Sequence, residues 1–128
     1  MRAYRKMLLT GDKERLEEIK NYILTHIDGD LGTQTLSEKF ALSKTTLDRQ
    51  FMHVFRQSVS KFVTSTRMNK AYDLAKDTEI PVGLIGRLVG YKNRTAFIRA
   101  FVKYFGLPPN QMRRYDDIIQ AKILNYLN

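Results

Sequence analysis

A shift of fifty residues lays this chain on itself. Ser43, Thr45, Leu47, Arg49, Phe51 and Phe55 fall on Asn93, Thr95, Phe97, Arg99, Phe101 and Phe105. An internal repeat constrains a fold more than any local propensity, because both copies must build the same unit. Each copy opens on a helix-capping residue, then sets Thr and Arg four apart with apolar residues on the opposite side. A chain of 128 residues buries a modest core, in one domain or two small lobes.

The pattern is helical throughout, and no run alternates with a period of two. Asp12 is placed to cap a first helix through Leu16, Ile19, Ile23 and Ile27. Thr35-Leu36-Ser37-Glu38 reads as a capping box that opens a short helix through Phe40. Ala41-Leu42 turns the chain, and Ser43 caps a helix to about Phe55. Ser58 starts a long helix to about Lys76. In the second copy Pro81 suits a first helical position, and Gly90 ends the helix in the left-handed region. Asn93 caps the next helix, which stops at Phe105 before Gly106-Leu107-Pro108-Pro109. A short turn from Pro109 toward Arg114 and a final amphipathic helix over Ile118 to Leu127 complete the reading. Tyr4, Met7 and Leu8 at one end, and Ile119, Ile123 and Leu127 at the other, also recur at helical spacing.

Each copy is then a short helix, a tight turn and a longer helix, which is the helix-turn-helix layout. At about 100° per residue, Leu47, Phe51, Val54 and Phe55 share one side of the first longer helix. Thr45, Arg49, Met52 and Arg56 lie opposite, with Thr46 and His53 beside them. In the second, Phe97, Phe101, Tyr104 and Phe105 cluster, while Thr95, Arg99, Val102 and Lys103 face away. The phenylalanine stripes are explained as core by their spacing. Thr and Arg one turn apart near a helix start are what a base-reading helix presents, and Arg can bond guanine through two parallel hydrogen bonds.

The net charge of +9 supports a polyanionic partner because it is segregated. Residues 12–31 carry three basic against six acidic groups, residues 39–76 eight against two, and residues 80–115 seven against none. With no cysteine, neither a disulfide framework nor a thiolate metal site is available, and a reducing cytoplasm is the simplest setting. No apolar run approaches the length of a membrane span. An enzyme is not expected. His26 and His53, the two histidines, fall on different helices, and no H-E-x-x-H, phosphate-cradling glycine loop or serine elbow occurs. Asp116-Asp117 suits the acidic start of a helix better than a catalytic pair. No metal or cofactor is called for.

The stretch from about Leu16 to Arg113 resembles the DNA-binding domain of the AraC/XylS family of bacterial transcription regulators. The first copy, L-S-E-K-F-A-L-S-K-T-T-L-D-R-Q-F, is similar to the family's first motif. Arg67, Ala71 and Leu74 match its connecting helix. V-G-L-I-G-R-L-V-G-Y-K-N-R-T-A-F-I-R-A-F-V-K-Y-F-G-L-P-P-N-Q-M-R resembles its C-terminal signature. The resemblance implies an all-α fold: two helix-turn-helix lobes joined by a long central helix, about seven helices plus a C-terminal helix. The expected divisions are an N-terminal arm at 1–11, a first lobe at 12–57, the connecting helix at 58–77, a second lobe at 78–114 and the C-terminal helix at 115–128. Carried over by position, Thr45, Thr46, Asp48 and Arg49, then Arg94, Thr95, Ile98 and Arg99, are the expected base readers. Ser43, Lys44, His53, Arg67, Lys92, Asn93 and Lys103 are the expected backbone contacts. Arg56 stands where the family has Gly, so the first reading helix is expected to close differently, and Met52 and Val102 replace usual lysines.

The expected function is therefore sequence-specific reading of double-stranded promoter DNA by two helices in successive major-groove segments. The connecting helix spans roughly 27 Å at about 1.5 Å per residue, against about 34 Å between groove segments on one face of DNA, so bending or tilting is expected. One chain would read an asymmetric site as a monomer. RNA polymerase is the expected protein partner, with a sensor domain as a further one in a longer chain. The rival reading is a protein-interaction module or output fragment that docks to a sensor domain or polymerase.

Overall fold

The computed structural model describes residues 10–127, so the expected stripe of Tyr4, Met7 and Leu8 lies outside the described residues. Among the described residues every regular element is a helix. The order is α1 Thr10–Thr25, α2 Thr33–Lys39, α3 Lys44–Phe55, α4 Val59–Asp77, α5 Val82–Leu88, α6 Arg94–Phe105 and α7 Pro109–Leu127. Two compact units divide after Thr66, inside α4.

The first unit packs α1, α2, α3 and the start of α4 around Leu16, Ile19, Ile23, Leu36, Leu47 and Phe51, none of which reaches solvent. The α1 helix starts at Thr10, so Asp12 sits within the first turn, where its charge suits the helix dipole, rather than capping it. The expected capping box at Thr35 does not form. Helix α2 begins three residues earlier, with Gly32 at the cap and no side-chain cap bond. Asp30 takes over: its carboxylate accepts from the Gly32 N–H at 3.0 Å and from the Thr35 hydroxyl at 2.8 Å. Glu38 meanwhile accepts from Gln34. Ser58 does cap α4, accepting from the Lys61 N–H at 3.1 Å.

The second unit packs the rest of α4 with α5, α6 and the first turn of α7, around Met68, Ala71, Ile85, Phe97, Phe101 and Met112. Helices α5 and α6 approach so closely that a Cβ on Gly86 would lie 2.8 Å from the Phe97 ring. Pro81 takes the cap position, one place before the first helical residue. The last helix differs from expectation. The short turn from Pro109 and the amphipathic segment near the end are one continuous helix, so seven helices in all fill the described residues. No Gly or Pro lies between Asn110 and Leu127 to break it, and Asp116-Asp117 fall mid-helix.

Both helix-turn-helix turns use the same backbone. Phe40 and Val89 end their helices at φ −100° and −99°, and Ala41 and Gly90 follow with φ 53° and 104°. The Leu42 N–H then bonds the Ser37 carbonyl at 3.1 Å, and the Tyr91 N–H bonds Gly86 at 2.8 Å. Helices α3 and α6 also close alike, on Arg56 at φ 60° and Gly106 at φ 87°. The different ending expected at Arg56 is thus not found: its N–H bonds the Met52 carbonyl at 2.9 Å, as Gly106 bonds Val102 at 2.8 Å. The first unit holds Ala41 and Arg56 where the second holds glycine, and a left-handed non-glycine residue costs about 1–2 kcal/mol. Glycine's greater unfolded-state freedom returns part of that gain. Arg56→Gly is therefore expected to stabilise the first unit by about 0.5–1 kcal/mol, seen as a higher urea midpoint at unchanged slope. Gly106→Arg should do the reverse to the second unit.

Candidate nucleic-acid interface

Helices α3 and α6 are started by the residues that the repeat predicts. The Ser43 hydroxyl accepts from the Thr46 N–H at 3.1 Å and donates to the Thr46 hydroxyl at 2.8 Å. The Asn93 side chain accepts from the Ala96 N–H at 2.8 Å. Each cap fixes the first turn, which carries the candidate readers. The opposite faces anchor both helices: Leu47 and Phe51 in α3, Phe97 and Phe101 in α6, all with no exposure. Their rings pack edge-on or tilted, Phe51 against Phe55 at 4.6 Å and Phe101 against Phe105 at 4.6 Å. Tyr104, placed with this face by spacing alone, is 43% exposed.

Outward from that base, the first unit has Thr45 and Arg49 exposed, with Thr46 half-buried at its cap. The second presents Arg94, Thr95 and Arg99. Asp48 and Ile98 occupy the same place in the two copies, and both are half-buried. Ile98 packs on its unit's core, whereas one carboxylate oxygen of Asp48 is buried with no hydrogen-bond partner. An acid stands there where the other copy uses an aliphatic side chain. Met52 and Val102 are also open to solvent, at 47% and 36%.

Of the expected backbone contacts, Lys44, Lys92 and Lys103 are exposed, Ser43 and Asn93 are exposed but engaged as caps, and His53 is half-buried. Arg67 is half-buried with its guanidinium 5.8 Å from the Tyr91 ring centre, a cation–π contact inside the second unit. Burial pushes the Tyr91 phenol above the ordinary tyrosine value, and the Arg67 charge partly offsets that.

One cation belongs with the candidates although repeat and resemblance left it out. Arg87 lines a cleft of about 280 Å³ with Gly83, Leu84, Lys92, Asn93 and Arg94. Three cations there surround the N-terminal end of α6, whose free N–H groups already favour an anion. The signal in the sequence was the four-residue step from Gly83 to Arg87, which sets both on the face turned toward the following helix. Arg113 has a structural role instead: it donates to the carbonyls of Ala75 and Ile80, both at 2.8 Å, closing the end of α4. Among the described residues no His, Cys, Asp or Glu group is arranged to hold a metal ion, and no helix is long and apolar enough to cross a membrane.

A family model described as a helix-turn-helix domain matches residues 36–115. The chain is 23% identical over 117 residues to the multiple antibiotic resistance protein MarA of Escherichia coli, covering 91% of this chain and 92% of that protein. Among solved structures, the C-terminal domain of AraT, a response regulator from Geobacillus stearothermophilus, superposes with a TM-score of 0.75 at 32% identity, covering 79% of this chain and 84% of that one. The DNA-binding domain of the global transcriptional factor AdpA, solved in complex with a target DNA, gives 0.73 at 21% identity, covering 79% and 91%, which bears on the fold.

Proposed function

We propose, since this chain belongs to the AraC/XylS-type helix-turn-helix family of DNA-binding transcription regulators, that α3 and α6 enter successive major-groove segments of one promoter site. The observation that carries this reading is the matched pair. Two compact units each present Thr and Arg at the same turns of a capped, core-anchored helix, Thr45 with Arg49 and Thr95 with Arg99. Arg49 and Arg99 read base edges, with Thr45, Thr46, Arg94 and Thr95 at the helix starts. Ile98 offers an apolar contact to a thymine methyl, and Asp48 disfavours phosphate on its side of α3. Lys44, Lys92, Lys103 and Arg87, with His53 and the capped helix ends at Ser43 and Asn93, hold the sugar-phosphate backbone and set the register. Arg67 acts there only if it leaves Tyr91. A single chain supplies both reading heads, so one copy suffices for an asymmetric site. On this reading the protein works in the cytoplasm, with RNA polymerase as the protein it serves and a sensor domain as the controlling partner in a longer chain. Catalysis has no part in this reading.

Arg49→Ala or Arg99→Ala is expected to cost about 1–3 kcal/mol on a site selected from random DNA, and to relax preference within one half of that site. Fluorescence anisotropy on the selected and a scrambled duplex, across a salt titration, separates the roles. Equal losses on both duplexes, with a salt slope reduced by about one, would make these arginines backbone contacts.

A further inference from the structure

We infer that α7 beyond Arg114 is a self-association helix, and that its occupant is the same helix of a second copy of this chain. Met112, in the first turns, is 5% exposed and Arg113 is tied to the second unit, so the helix is anchored there. From Tyr115 onward it leaves the core. Tyr115 is 64% exposed, Ile119 40%, Ile123 47% and Tyr126 90%. These residues are not scattered. Tyr115, Ile119, Ile123 and Leu127 recur every fourth position, and Ile118 and Tyr126 lie beside them with Lys122 between, a largely apolar arc of about 180°. Contiguous exposed apolar surface of this kind marks an interface rather than a solvated face. The family model stops at residue 115, so the DNA-reading function does not account for the stripe.

Three features select a second copy as the occupant. Six apolar residues of the face stand 40–90% open, surface for a partner that buries roughly 800 Å² on each side, as a standard interface does. Four-residue ridges fit the grooves of an identical helix, and such packing closes on a two-fold axis. With that axis near Ala121, Ile119 of one copy meets Ile123 of the other, and Tyr115 meets Leu127. Charge agrees as well. Residues 115–127 carry two aspartates and one lysine, whereas residues 80–114 carry seven cations and no acid. Two copies therefore repel through their reading faces and meet freely through this helix, while a polyanion is drawn elsewhere. The resulting dimer carries four reading helices and favours DNA holding two sites in inverted order. The dimer itself does not depend on which residues read bases.

The test is sedimentation velocity of the full chain from micromolar to hundred-micromolar concentration. A reversible monomer–dimer equilibrium is expected, abolished in Ile119→Lys/Ile123→Lys. That variant should keep the wild-type melting temperature at dilutions where both proteins are monomeric, and the wild-type affinity for a single DNA site. The chain has no cysteine, so oxidation of an equimolar mixture of Ile119→Cys and Ile123→Cys chains should yield a covalent heterodimer quickly, and Asp117→Cys, on the opposite face, should not. A wild-type chain that stays monomeric throughout overturns the proposal. So does a double variant that still dimerises, or one that melts lower as a monomer, which would show the stripe packing on its own unit.

Discussion

Phe101→Ala is expected to unfold the second unit while leaving the first intact. The ring has no exposure and packs against Phe97 at 5.9 Å and Phe105 at 4.6 Å. Removing a buried Phe side chain costs about 3–5 kcal/mol. A core of roughly 60 residues rarely supplies more than about 3–5 kcal/mol in total, so the loss consumes most of what holds α5 and α6. The two buried clusters share no residue: Val63 closes the first and Met68 opens the second. Hydrogen exchange should therefore show protection lost in α5 and α6 and retained in α1 to α3. Affinity for a selected site should fall to that of one reading head, while Phe51→Ala should give the mirror result. Protection lost equally in both units of the Phe101→Ala protein would show that the cores fold as one.

What the sequence made legible follows the range over which each interaction acts. Ser43 and Asn93 could be read as caps because a cap bonds an N–H three residues on. The left-handed turn at Gly90 was likewise local. Thr35 misled because it has two possible partners, and Asp30, five residues back, wins both its hydroxyl and the Gly32 N–H. The break expected before Ile118 rested on Asp116-Asp117 as a helix start, yet an acidic pair favours a first turn without preventing mid-helix placement. At Arg56 composition hid the geometry: the chain reaches the left-handed closure without the glycine that usually reveals it. Site residues whose partners are distant in sequence were the least visible. Arg67 rests on Tyr91, and Arg113 reaches back more than thirty residues to Ala75 and Ile80. Helical spacing gives a residue's angle about its axis but not the height of the neighbouring wall. Hence Asp48 is half-buried beside an exposed Arg49, and Tyr104 is open although it lies near the apolar side.

Thr66→Pro should separate reading from folding. Thr66 lies in α4, between Val63 of the first core and Met68 of the second, so the substitution removes no buried apolar residue from either. Proline there deletes one backbone bond and drives its ring against the carbonyl of Phe62, costing about 3 kcal/mol or more in the helix. Phe62 packs on Phe51 at 5.5 Å, and Met68 and Ala71 stay with α5 and α6, so each half of the helix keeps its own anchor. The expected protein is folded but hinged. If a continuous α4 holds the two heads at the spacing of successive groove segments, binding of the second head becomes an intramolecular event with a much lower effective concentration. Affinity for the selected site should then drop toward that for scrambled duplex, with the salt slope on scrambled DNA unchanged because the cations remain. Circular dichroism and exchange protection of both units confirm folding before affinity is compared. A folded Thr66→Pro chain that keeps full site-specific affinity would mean that the heads find their grooves without help from the helix between them.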